Sequence, residues 1–91
     1  MKRVKVRLIG TLLEEAGRSE LYLELEDEVE VVKALEMLPR RLKERILRDG
    51  RLAPDILVLV DGIEVSSFGA LESLVLRGGE EIVLIPTIHG G

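Results

Sequence analysis

Between residues 2 and 9 apolar and charged positions alternate, with Val4, Val6 and Leu8 pointing one way and Arg3, Lys5 and Arg7 the other. A period of two is that of a strand with one wet face. Gly10 interrupts the alternation. Thr11, followed three residues later by Glu14, has the spacing of a capping box, which predicts a short helical turn closing near Gly17. Leu21, Leu23 and Leu25 then alternate with Tyr22, Glu24 and Glu26, which predicts a second strand. The two strands read as an antiparallel pair whose polar rows carry opposite charge. Cross-strand ion pairs between them would help set the register, at roughly 0.2–1 kcal/mol each.

Asp27, with Glu30 three residues on, marks a helix start. Val32, Leu35 and Leu38, with Val29 or Val31 beside them, supply an apolar stripe at helical spacing. Pro39 ends or kinks this helix, since proline donates no N–H and its ring crowds the preceding turn. A second helical piece follows, with Leu42, Ile46 and Leu47 inward, a charged outer face rich in arginine, and Gly50 as its stop. Residues 56–60 are apolar without a break, the mark of a strand covered on both faces. Asp61-Gly62 then predicts a hairpin with a short return strand at 63–65. From Phe68 to Leu76 the pattern is mixed, a loop with one helical turn at 70–74, and Gly78-Gly79 turns the chain into a last strand at 81–85. The order is strand, strand, helix, strand, short strand, strand. One sheet needs one cover, and the helix between the second and third strands is the candidate.

Ninety-one residues make one domain with a modest core. The 46% hydrophobic fraction with only 2% aromatics implies an aliphatic interior, and 33% charged residues imply a heavily charged surface. No apolar run approaches a membrane span and the N-terminus alternates with charge at once, so the expected location is cytoplasmic, with no membrane partner. A net charge of −4 argues against general nucleic-acid binding, which draws most of its affinity from Lys and Arg on phosphates. Asn and Gln are absent and Arg outnumbers Lys nine to four, a composition that fits a thermophilic source.

With no cysteine, disulfides, thiolate catalysis and cysteine-based metal sites are excluded. His89 is the only histidine, so it has no second His for a metal site, and nothing orients it as a base for Ser19, Ser66, Ser67 or Ser73. Gly78-Gly79 precedes a strand and lacks the surroundings of a phosphate-binding loop. What remains is Gly90-Gly91 directly after the last strand. Glycines lack Cβ atoms and can enter a channel too narrow for a side chain. At average usage of about 7% such a pair arises by chance in roughly one chain in 200. The terminal carboxylate is thus the one group with a plausible chemical job, and the chain is expected not to be an enzyme.

The stretch LVLRGGEEIVLIPTIHGG, from Leu74 to Gly91, resembles the C-terminal signature of the MoaD/ThiS sulfur-carrier family. There a leucine and a basic residue, a turn written roughly DGDEV, a hydrophobic strand and a PP-x-x-GG tail follow one another. VDGIEV, from Val60 to Val65, resembles the hairpin that precedes it. The resemblance implies an α+β, ubiquitin-like β-grasp fold: a mixed four- to five-stranded sheet packed on one main helix, with residues 1–86 as the domain and 87–91 as a flexible diglycine tail. It implies that Gly91 is adenylated by a ubiquitin-activating-type enzyme, which uses the ATP while the carrier itself binds no cofactor. Sulfur attack then gives a thiocarboxylate and lysine attack an isopeptide. Gly90, His89, Ile88 and Thr87 would give access to the activating site, with His89 as a contact. Docking would use the exposed sheet face around Leu59, Leu74, Leu84 and Pro86. The implied roles are a sulfur carrier, such as the small subunit of molybdopterin synthase with its large subunit as partner, or a modifier joined to lysines of target proteins. A plain interaction module is the remaining alternative. Thr87 stands where molybdopterin-type members carry a second proline, and Arg77, Gly78 and Glu80 replace the usual Lys, Asp and Asp of the turn.

Overall fold

The computed structural model describes residues 2–66, 71 and 73–87. The N-terminal alternation forms β1 (Lys2–Leu8), followed by α1 (Thr11–Ala16) and β2 (Glu20–Leu25). β1 and β2 pair antiparallel with Arg3 opposite Glu24, Lys5 opposite Tyr22 and Arg7 opposite Glu20. The charged rows meet as expected: Arg3 lies 3.8 Å from Glu24 and Lys5 3.2 Å from Glu20. Arg3 also stacks over the Tyr22 ring, 4.8 Å from its centroid. The other face of both strands, Val4, Val6, Leu8, Leu21, Leu23 and Leu25, is buried.

The remaining elements are β3 (Val29–Glu30), α2 (Val31–Leu35), α3 (Arg40–Ile46), β4 (Leu47–Arg48), β5 (Arg51–Leu52), β6 (Ile56–Val60), β7 (Ile63–Glu64), β8 (Val75–Leu76) and β9 (Glu81–Pro86). Five strands form one mixed sheet in the order β2-β1-β9-β6-β7. β9 runs parallel to β1, with Val6 opposite Ile82 and Leu8 opposite Leu84, and antiparallel to β6, with Val58 opposite Leu84. The expected α+β architecture, a mixed five-stranded sheet with its helices, is thereby present. Its cover is three short helices where one main helix was expected. Leu12, Val31, Ala34, Leu35, Leu38, Leu42 and Ile46 bring them onto one face of the sheet. Pro39 makes the break: its φ of −52° and ψ of 145° are extended, and its carbonyl accepts the first bond of α3 from Lys43, at 2.9 Å.

Several boundaries differ from the sequence reading. Gly10, and not Thr11, precedes α1, and no side chain caps that helix, so the capping box does not form. Gly17 does end α1 in the left-handed conformation. Asp27 does not start a helix either. Its Oδ1 accepts the Glu28 N–H at 2.8 Å, while Val29 and Glu30 pair with Leu76 and Val75 before α2 begins at Val31. α3 stops at Ile46, and Leu47-Arg48 turns back on Arg51-Leu52 through Asp49 and Gly50, both at positive φ (53° and 75°). Gly50 is therefore a hairpin turn residue and no helix stop. Asp49-Gly50 carries the same dipeptide signal as Asp61-Gly62, whose predicted hairpin is found between β6 and β7. Leu71 is buried; Ala70 and Glu72 of the helical turn expected at 70–74 lie outside the described residues.

Gly78-Gly79 forms the expected turn into β9, at φ 108° and 92°. Glu80 closes it, its carboxylate accepting the N–H groups of Arg77 and Gly78, both at 2.7 Å. Partial burial pushes the Glu80 carboxyl up, but the N–H groups of Arg77, Glu80 and Gly78 and the Arg77 charge outweigh it and hold it below the usual range. A Cβ on Gly78 would sit 2.5 Å from the Cβ of Lys2, an atom fixed by β1. Gly78→Ala should therefore destabilise the protein by about 2–3 kcal/mol from strain and overlap together. Gly79, with nothing within 4 Å, should lose only about 1–2 kcal/mol from its φ. Urea denaturation of both variants checks the difference.

Candidate functional site

β9 lies between β1 and β6, so the chain leaves the body from the middle of the sheet. Its exit is fixed on two sides. Gly10 sits against the Pro86 ring, where an added Cβ would come within 3.4 Å of Cγ. Opposite, the carbonyl oxygen of Asp55 accepts two hydrogen bonds from Thr87, from N–H at 2.7 Å and from Oγ1 at 3.1 Å. Asp55 is itself held by Arg45 at the end of α3, with Nη2 2.9 Å from Oδ2 and Nη1 3.3 Å from Oδ1. Both side chains are about three-quarters covered (24% and 21% exposed), where a bidentate pair holds its geometry best. The Arg45 guanidinium holds the Asp55 carboxyl below its ordinary value, against a smaller opposing push from burial. Thr87 is thus joined to the body at the point where the tail was expected to begin.

The strands beside the exit carry apolar side chains on both faces. Ile56, Val58, Val60, Ile82 and Leu84 point to the core. Leu57, Leu59, Val83 and Ile85 point the other way, paired as Leu57 opposite Ile85 and Leu59 opposite Val83. These four are half-buried by one another, and none belongs to the core or packs against it. The strand expected at 56–60 is thus present, but among the described residues its second face is not covered. On the same open face, β1 and β2 present the Arg, Lys and Glu rows, and Glu81 joins them through Lys5 and Arg7 at 3.9 and 3.8 Å. The open face is divided into a charged half over β2 and β1 and an aliphatic half over β9 and β6.

Of the residues expected to dock a partner, Pro86 stands opposite Ile56 with its ring against Gly10, on the core side of the pleat and off this half-face, while Leu59 lies in the aliphatic half. Leu84 does not: it is fully buried on the core side and cannot meet a partner. Leu74 is half-buried against the core, its carbonyl accepting the Val31 N–H at 2.9 Å. Leu57, Val83 and Ile85 share the half-face with Leu59 and were not named from the sequence, although alternation along the two strands places them there. Ile88, His89, Gly90 and Gly91 lie outside the described residues. Among the described residues no group of three His, Asp or Glu is placed to hold a metal, and no helix is long and apolar enough to cross a membrane.

No family model matches the chain. A protein of Archaeoglobus fulgidus assigned as a sulfur carrier is 34% identical to it over 89 residues, which cover 97% of this chain and 98% of that one. The solution structure of small archaeal modifier protein 1 from Methanosarcina acetivorans is 33% identical, with a TM-score of 0.76, over 100% of this chain and 98% of that one. The crystal structure of SAMP1 from Haloferax volcanii matches at 26% identity and a TM-score of 0.81, over 98% and 99% of the two chains.

The Arg45–Asp55 pair gives the exit a pH dependence whose sign is fixed. The Asp55 carboxyl is lowered on folding from its ordinary value of 3.8, so its contribution is present above that pH and is lost as pH falls through the folded value. Asp55→Asn should flatten the acid limb of the stability curve and cost about 1 kcal/mol at neutral pH. Thermal unfolding followed from pH 7 down to about 2 tests both effects.

Proposed function

The chain belongs to the family of β-grasp sulfur carriers and small archaeal modifiers, and from that premise we propose that it is a carrier worked on at the Gly91 carboxylate by an ATP-dependent adenylating enzyme. A carboxylate is a poor electrophile. Its attack on the α-phosphorus of ATP releases pyrophosphate and gives an acyl-adenylate, from which AMP can leave. A sulfur donor then yields the thiocarboxylate, with AMP as leaving group. No side chain of the carrier takes part in making or breaking these bonds, and the ATP is bound by the partner.

The observation that carries this reading is the exit itself. A doubly paired central strand delivers the chain to Thr87, beside an aliphatic half-face that nothing among the described residues covers. Leu57, Leu59, Val83 and Ile85 would dock the activating enzyme, and the four residues after Thr87, about 13–14 Å when extended, would reach into its site. Gly90 and Gly91 supply the narrow cross-section, with Ile88 and His89 as contacts in the entrance. Where the thiocarboxylate serves a molybdopterin synthase, the same half-face would meet the large subunit.

A second reading shares the activation step: attack by a lysine amine on the adenylate, or on a thioester formed from it, would join Gly91 to another protein. The likeness to two archaeal modifiers favours it as strongly as the Archaeoglobus relative favours sulfur transfer.

Incubation with the adenylating enzyme, ATP and a sulfur donor should produce, by intact-mass spectrometry, the mass gain of one oxygen-to-sulfur exchange, and removal of Gly90 and Gly91 should abolish it. Conjugates in cell extract that depend on Gly91 would assign the modifier role. Neither product, with wild-type behaviour of the truncated chain, would leave an interaction module. Ile85→Glu should leave the fold intact, since Ile85 is outside the core, yet raise the KM for the carrier by about tenfold.

A further inference from the structure

The segment from Arg40 to Arg51 holds six basic and two acidic side chains in a chain whose net charge is −4. Part of that charge is used internally, by Arg40 with Glu44 and Arg45 with Asp55. Arg48 and Arg51 are different. They oppose each other directly across β4 and β5, both are exposed, and neither has an ion pair among the described residues. Like charges at opposed positions destabilise a strand pair. The two-residue turn at Asp49-Gly50 leaves them no other register. A glutamate at position 51 would turn the repulsion into an attraction without touching the core, so the hairpin itself gains nothing from having a second arginine there.

The hairpin that carries the pair lies between the two residues of the tail root, three positions after Arg45 and four before Asp55. Arg45 grips Asp55, whose carbonyl holds Thr87. The Arg48 charge acts on the same Asp55 carboxylate. We propose that Arg48 and Arg51 form a docking surface for an acidic patch beside the tail entrance of the adenylating enzyme, separate from the aliphatic half-face. This inference rests on the function proposed above. A protein surface fits better than a nucleic acid, because an extended polyanion would also meet the acidic remainder of the chain, whereas a local carboxylate patch meets only this lobe.

The test combines thermal unfolding with ATP–pyrophosphate exchange by the purified adenylating enzyme of the same organism, at varied carrier concentration and between about 0.05 and 0.5 M NaCl. Arg51→Glu should raise Tm by about 2–4 °C. At low salt it should nevertheless raise KM roughly fivefold to tenfold with kcat within about twofold, and Arg48→Glu/Arg51→Glu should raise KM further and remove the salt dependence seen in the wild type. Lys2→Glu, the same change of charge at the far end of β1, should leave KM within about twofold. Exchange that proceeds with a wild-type KM for Arg51→Glu, or an equal rise for Lys2→Glu, overturns the docking surface alone. Binding of a tRNA probe that is lost in Arg51→Glu while KM is unchanged overturns it in favour of nucleic acid. Failure of the wild-type chain to support exchange overturns the functional reading and this inference with it.

Discussion

The parallel pairing of β1 with β9 is the constraint on which the rest of the structure depends. It brings the last strand into the centre of the sheet, where β1 and β6 both hydrogen-bond to it, while the earlier strands take the edges. Parallel pairing requires a crossover, and residues 9–80 supply it with all three helices on one face. Both neighbours fix the register of β9, so Thr87 emerges at one defined place. Asp61 secures the other end of the strand: its Oδ1 accepts the Glu81 N–H and its own N–H donates to the Glu81 carbonyl, both at 2.9 Å. A tail attached to an edge strand would move with any fraying of that edge. In β9, its point of attachment at Pro86 is displaced only if the core opens.

A second consequence concerns the faces of the central strands. Buried strands with apolar residues at consecutive positions imply cover on both sides, as in parallel α/β sheets. Among the described residues there are helices for one side only. Ile56, Val58, Val60, Ile82 and Leu84 take that side, and Leu57, Leu59, Val83 and Ile85 are left over. Solubility alone would favour polar residues there, as β1 and β2 have on the same face. The contrast within one sheet is therefore informative: over β2 and β1 the open face is charged and paired, and where the chain leaves the body it is aliphatic.

How much of this was legible depended on whether the signal was local. The period-two alternation of 2–9 and 20–26 fixes each strand, its wet face and the partner row, because each residue's environment follows from its own neighbours. Pro39 and Asp61-Gly62 act through their own φ and were readable for the same reason. Thr11 and Asp27 misled because a side chain that can cap a helix caps it only if tertiary packing starts the helix there. Val29 and Glu30 were instead drawn into pairing with Val75 and Leu76, residues more than forty positions away. Asp49-Gly50 was hidden by the amphipathic run before it, since Leu47 fits a helical stripe as well as a hairpin. Leu84 was misplaced for a plainer reason: resemblance can name a docking strand, but only the pleat says which of its side chains face outward.

The tail root shows how a local departure from a family pattern can be offset elsewhere in the fold. A second proline after Pro86 would stiffen the exit through its own ring, with φ held near −65° and no N–H to satisfy. Threonine at 87 gives up that stiffness but keeps two donors, and Asp55 accepts from both. The restraint then depends on the loop before β6 staying in place, and the loop depends on the Arg45–Asp55 pair, which ties it to α3. Direction of the tail passes from covalent geometry to a chain of hydrogen bonds running from α3 through Asp55 to Thr87. Such a restraint orders the root as proline would, but it can be released, because threonine retains the conformational freedom that a proline ring removes.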